Sequence, residues 1–165
     1  MAPVAFQNIG CRIAVSGAFQ RREFACLAFG TRYTPRMKEL HRIMHVEDDP
    51  DIREITRMSL ELVGGFDVIQ FKCGKDAVEN LPTEAPDLIL LDVMMPVMDG
   101  VETLKRLREV AAYAEVPVIF VTAKTSRADF GHLKAVGAQD IILKPFEPME
   151  LPGQLLKIWE SCQAA

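Results

Sequence analysis

A chain of 165 residues, 49% of them apolar and 25% charged, can bury one sizeable core and is short for two. Its formal net charge of −4 comes from 23 acidic against 19 basic side chains, a balance that argues against nucleic acid as the main partner. No apolar run reaches the roughly 20 residues of a membrane-spanning helix, because charged or small polar residues interrupt every candidate.

The charge is uneven. Residues 1–36 hold five Arg against Glu23 alone and lack a sustained helical or strand period, whereas residues 37–165 hold 14 basic against 22 acidic side chains. The segmentation therefore expects an extension over 1–36 and a single domain over 37–165. Arg12 breaks the short apolar stretch that a secretory signal would need; the Arg-rich, acid-poor composition suits a transit peptide better. The reading adopted is a non-native start, with Met37 as the natural one. Cys11, Cys26, Cys73 and Cys162 are widely spaced and show neither C-x-x-C nor a Cys/His ligand pattern, so incidental thiols in a reducing cytosol are expected.

From His41 onward the chain alternates regularly. Short apolar runs at 42–46, 66–71, 87–91, 116–121 and 139–143 are separated by segments long enough for one helix each. The run LILL and the run VPVIFV are nearly continuous, as in strands covered on both faces of a parallel sheet. Five strands interleaved with five helices predict a doubly wound α/β fold. Asp49 is placed to cap the first helix, with Pro50 in its first turn, Ile52, Ile55, Ser59 and Leu62 near one face, and Gly64-Gly65 at its end. Val101, Leu104, Leu107 and Ala111 give the third helix an apolar face. The last helix carries Leu151, Leu155, Ile158 and Cys162 inward, and Pro152-Gly153 predicts a late start or a kink.

In an open α/β sheet, ligands bind in the crevice beyond the carboxyl ends of the strands. Polar residues collect there: Glu47, Asp48 and Asp49 after the first strand, Asp92 at the end of the third, Thr122 at the end of the fourth, and Lys144-Pro145 at the fifth. Three carboxylates in one crevice repel unless a cation sits among them, and all-oxygen ligation suits Mg²⁺. Asp92, held rigidly by a buried strand, can act as a nucleophile toward phosphorus. Lys144 would neutralise phosphate charge and the Thr122 hydroxyl would donate to a phosphoryl oxygen. Asp49 reads as a helix cap and Asp99-Gly100 as a turn.

The segments VEDDPDIRE, LLDVMMPVMDG, VIFVTA and DIILKPF, in this order and spacing, resemble the signature segments of the response-regulator receiver family over about residues 41–161. The resemblance implies a five-stranded, flavodoxin-like (βα)5 fold with Asp92 as phosphoacceptor and Glu47 and Asp48 as the acidic pair. It implies the backbone carbonyl of Met94 as a further Mg²⁺ ligand, Thr122 as the switch hydroxyl, Lys144 as the phosphate-binding lysine, and a cis bond at Lys144-Pro145. Met94 and Lys124 occupy positions that in the family tune loss of the phosphoryl group. One departure stands out: three residues before the lysine the family usually carries Tyr or Phe, and here it is Ile141.

The expectation is a stand-alone, cytoplasmic response regulator, a phosphoacceptor switch rather than an enzyme acting on a separate substrate. It would receive its phosphoryl group from a sensor histidine kinase or a histidine phosphotransfer protein. Output would pass to a partner protein through the face of helix four, strand five and helix five, with Phe130, His132 and Trp159 as candidates, the last reading equally as a core residue given its size, and with no direct contact with nucleic acid. Two rivals are a pseudo-receiver that binds partners constitutively and an aspartate-nucleophile phosphatase. The latter resembles D-x-D, and Met94 leaves no general acid at the second position.

Overall fold

The computed structural model describes residues 38–123 and 126–163. The boundary expected at Met37, the reading of residues 1–36 and the role of Lys124 lie outside the described residues.

The strands are β1 (Arg42–Val46), β2 (Asp67–Phe71), β3 (Leu88–Asp92), β4 (Val118–Thr122) and β5 (Asp140–Leu143). They form one parallel sheet in the order β2-β1-β3-β4-β5. The helices are α1 (Pro50–Met58), α2 (Gly74–Glu79), α3 (Gly100–Arg108), α4 (Arg127–Ala135) and α5 (Leu151–Gln163). The doubly wound fold expected from the alternation is the fold observed. Every residue of β3 and β4 is buried, which explains why their sequences run apolar without alternation.

Because successive side chains point to opposite faces, each strand feeds two cores. Met44, Ile89, Leu91 and Phe120 pack with Ala77, Leu104, Leu107 and Leu133, so α2, α3 and α4 cover one face. Ile43, Leu88, Leu90 and Val121 pack with Leu60, Leu151, Leu155 and Trp159, so α1 and α5 cover the other. Of its two readings Trp159 takes the core one; its indole N–H donates to the Lys38 carbonyl at 2.7 Å and pins α5 to the segment before β1.

Helix faces depart from expectation at three places. On α1 the buried position is Thr56, joined by Ser59 and Leu60 of the π-helical turn Ser59–Val63 that continues the helix, while Ile55 and Leu62 are exposed. Ala111 falls in a short 3₁₀ turn, Ala111–Tyr113, beyond the end of α3, and is exposed. On α5 the helix starts at Leu151 without delay; Pro152 lies in the first turn, where a missing N–H removes no intrahelical bond, and is itself buried.

Asp87 ties the entry to β3 to the entry of β1. Its Oδ2 accepts from the backbone N–H groups of His41 and Arg42 at 3.0 and 2.8 Å, and Lys38 Nζ lies 2.6 Å from Oδ1. Burial pushes this carboxyl upward, but the Lys38 ammonium and the two N–H donors outweigh it and hold the pKa below its ordinary 3.8. A depressed folded pKa contributes stability above the unfolded value, and that contribution is lost as pH falls through the folded one. We expect Asp87→Ala to cost about 2 kcal/mol at neutral pH, with the gap to wild type narrowing in denaturant melts as the pH drops below about 3.8. A gap that stays constant with pH would mean that the charge is unimportant there.

Candidate functional site

The acidic run after β1 divides its labour. Glu47 is almost fully buried, Asp48 half-buried and Asp49 exposed. Asp49 caps α1 as expected, its Oδ1 accepting from the N–H groups of Asp51 and Ile52 at 2.9 and 3.0 Å. That leaves Glu47 and Asp48 for the crevice.

Strand register delivers the remaining groups to the same edge. Asp92 ends β3, buried, opposite Val121 of β4. One residue further on, Thr122 closes β4, fully buried, opposite Leu143 of β5. The Lys144 backbone N–H donates to the Thr122 carbonyl at 2.9 Å, and Lys144-Pro145 is cis, as the resemblance implied. Lys144 then reaches back across the strand ends, with Nζ 2.6 Å from Glu47 Oε2 and 3.1 Å from Asp92 Oδ2.

Burial pushes the Glu47 carboxyl upward and the Asp92 charge adds to this, while the hydrogen bond from Lys144 only partly opposes it. The Lys144 ammonium, despite its own burial, is held above its ordinary range by the two carboxylates it touches. Among the described residues the cluster is thus short of positive charge: Lys144 pairs with Glu47 and Asp92, and Asp48 stands beside them. These three acids each offer an oxygen, all within 4.8 Å of one another. Several hard oxygen donors at that spacing fit a divalent cation such as Mg²⁺.

The loop after β3 forms the other wall. Met94 donates its N–H to Asp92 Oδ1 at 3.2 Å and leaves its side chain more than half exposed, while Met95 turns inward. Asp99 caps α3 by accepting from the Glu102 N–H at 2.8 Å, and Gly100 N–H donates to the Val93 carbonyl at 3.1 Å. A crevice of about 670 Å³ opens between this loop and α4, lined by Asp48, Met94, Asp99, Asp129 and His132 among others. His132 is exposed and Phe130 half-buried.

Residues 43–155 match the family described as the response regulator receiver domain. The chain belongs to that family. It is 36% identical over 124 residues to the alkaline phosphatase synthesis transcriptional regulatory protein PhoP of Bacillus subtilis, covering 75% of this chain and 50% of that protein. To the DNA-binding response regulator MtrA of Mycolicibacterium smegmatis it is 39% identical over 111 residues, or 67% of this chain and 46% of that one. The chain thus spans about half the length of these curated relatives. The chemotaxis protein CheY4 of Vibrio cholerae superposes with a TM-score of 0.67 at 31% identity, over 73% of this chain and 99% of that one. Receiver domains work in two-component signalling, interacting with histidine kinases and with downstream targets. No helix among the described residues is long and apolar enough to cross a membrane.

Beneath this receiver's acidic pair lies a polar group that the sequence pattern does not single out. Gln70 of β2 stands opposite His45 of β1, its Nε2 3.0 Å from His45 Nδ1, and donates to the Arg53 carbonyl at 2.7 Å. Burial, with the charges of Lys144 and Arg53, pushes the His45 pKa down to about 3, so its ring is neutral and Nδ1 accepts. Arg53 Nη1 donates to the carbonyls of Glu47 and Asp48. The available signal is His45 within RIMHV and Gln70 within DVIQF, polar residues inside otherwise apolar runs.

Gly100 carries the loop against the strand end. A Cβ there would stand 2.2 Å from the Asp92 carbonyl oxygen, a backbone atom that cannot swing away. Gly100→Ala is expected to lose about 1–3 kcal/mol in chemical denaturation; an unchanged midpoint would mean that the loop yields without cost.

Proposed function

We propose that this receiver is a phosphorylation switch whose phosphoacceptor is Asp92. One observation carries the reading: a carboxylate buried at the end of a central strand touches a lysine and shares its crevice with two further carboxylates. Such an arrangement has little use in packing, since burying like charges together costs stability unless something binds them.

In the proposed transfer an Asp92 oxygen attacks the phosphorus of a phosphohistidine on a sensor kinase or phosphotransfer protein. The P–N bond breaks, and its electron pair and a proton go to the departing imidazole. Lys144 Nζ, already 3.1 Å from Asp92, moves onto a phosphoryl oxygen, and the Thr122 hydroxyl donates to another. Glu47, Asp48, Asp92 and, as the family resemblance implies, the Met94 carbonyl would hold Mg²⁺, which would supply the charge neutralisation that the acids and the incoming phosphate require. Water later cleaves the acyl phosphate and restores the carboxylate, so the chain catalyses only its own cycle and is not an enzyme acting on a separate substrate.

Output is assigned to a partner protein rather than to nucleic acid, in keeping with the acidic balance of the chain. A groove of about 540 Å³ between β5 and α5, lined by Ile141, Leu143, Phe146, Gln154, Lys157 and Ile158 among others, adjoins the face proposed for it. Ile141 is half-buried against the core and offers no rotating aromatic ring, so the signal would travel through displacement of Thr122 and the loop beyond it. A cytoplasmic location remains the reading; the free thiols Cys73 and Cys162 accord with a reducing compartment.

Intact-protein mass spectrometry after incubation with acetyl phosphate tests the chemistry. The expected result is a single phosphoryl adduct that requires Mg²⁺ and disappears in Asp92→Asn. No adduct, where another receiver labels under the same conditions, would move constitutive partner binding to first place; turnover of a phosphate ester dependent on Asp92 would favour a phosphatase. Met94→Ala is expected to shorten the phosphorylated half-life several-fold by admitting water beside Asp92, and an unchanged half-life would remove that side chain from the hydrolytic step.

A further inference from the structure

Arg53 differs from its neighbour on the same helix. Arg57 pairs on the surface with Glu54 and Glu61. Arg53 instead turns back over the loop that precedes α1: Nη1 donates to the Glu47 carbonyl at 3.0 Å and to the Asp48 carbonyl at 3.3 Å, while its backbone N–H donates to the Asp49 carbonyl at 2.9 Å. One residue thus engages three consecutive carbonyls of the acidic loop. Its own carbonyl is held in turn by Gln70 Nε2 at 2.7 Å, and Gln70 contacts His45 across the β1–β2 ladder. The chain of contacts runs from the buried sheet to the backbone that carries two of the three clustered acids.

We propose that Arg53, fixed from below by Gln70 and His45, is a positioning residue for the cation site. It sets the directions in which the Glu47 and Asp48 carboxylates project, without ligating anything itself. The inference rests on the reading of Glu47, Asp48 and Asp92 as a divalent-cation site. Charge and position make opposite demands here. As a charge alone, a guanidinium beside the site repels a dication, so removing it would tighten binding. As a support for the ligands, its removal loosens the loop and weakens binding, and groups that orient metal ligands typically change affinity by about 10–100-fold.

Calorimetric titration of the full chain with MgCl₂ separates these, run on wild type, Arg53→Met, Arg53→Lys and the control Arg57→Met, alongside thermal unfolding in EDTA. We expect Arg53→Met to weaken Mg²⁺ binding about tenfold or more and Arg57→Met to leave it unchanged, with both variants folded in EDTA at the assay temperature. Gln70→Met should weaken binding in the same direction as Arg53→Met. Unchanged or tighter binding by Arg53→Met overturns the proposal, as does an equal loss in Arg57→Met. Should Arg53→Met fail to fold, Arg53→Lys decides: it keeps the charge but has a shorter reach, so weaker binding supports the role and unchanged binding overturns it. A wild-type chain that binds no Mg²⁺ would instead remove the cation reading itself.

Discussion

Three acids brought to within 4.8 Å of one another at the edge of an apolar sheet form the constraint around which this molecule is arranged. Two unit charges at that distance repel by roughly 3–4 kcal/mol at the effective dielectric of a protein surface region, and three such pairs would be comparable to the net stability of a domain this size. Lys144 offsets part of this through its contacts with Glu47 and Asp92, and a dication would offset the rest. Such a cluster is therefore responsive by construction: whatever adds or removes charge there changes the balance of forces on every strand end that contributes to it.

The scaffold makes that response directional. β3 and β4 are buried at every position, so Asp92 and Thr122 are anchored by packing on both faces, whereas Glu47, Asp48 and Lys144 lie just beyond the ends of β1 and of the outer strand β5. Thr122 follows the residue paired with Asp92, and Lys144 follows the residue paired with Thr122, so the two groups that would meet a phosphate are linked to each other by the β4–β5 ladder.

The same edge shows how a short sequence run can serve several purposes. In Glu47-Asp48-Asp49, chemically similar side chains differ in burial and in partner: the first pairs with Lys144, the second lines the crevice and the third caps α1. Gly100 and Asp99 split in a similar way, one allowing close approach to the Asp92 carbonyl and the other capping α3. Local chemistry fixes the loops, and the fixed loops then aim the acids.

Much of this is legible in the amino-acid sequence. Strand count, parallel arrangement, the capping role of Asp49 and the gathering of Glu47, Asp48, Asp92, Thr122 and Lys144 follow from runs of apolar residues and from polar residues at the ends of those runs, because a buried parallel strand has only its end at which to display a charge. What the pattern leaves open depends on contacts distant in sequence. The π-helical turn Ser59–Val63 that continues α1 is a matter of backbone hydrogen bonding, which helical period alone cannot register. The indole N–H of the buried Trp159 is satisfied by the carbonyl of Lys38, 121 residues away. The support beneath the acidic loop requires His45, Gln70 and Arg53 from three separate elements to meet. Sequence by itself determined the fold and the chemical groups at the site, since both are written in local periodicity; tertiary structure alone decided which polar residues hold those groups in place, since hydrogen bonds between distant segments leave no period to read.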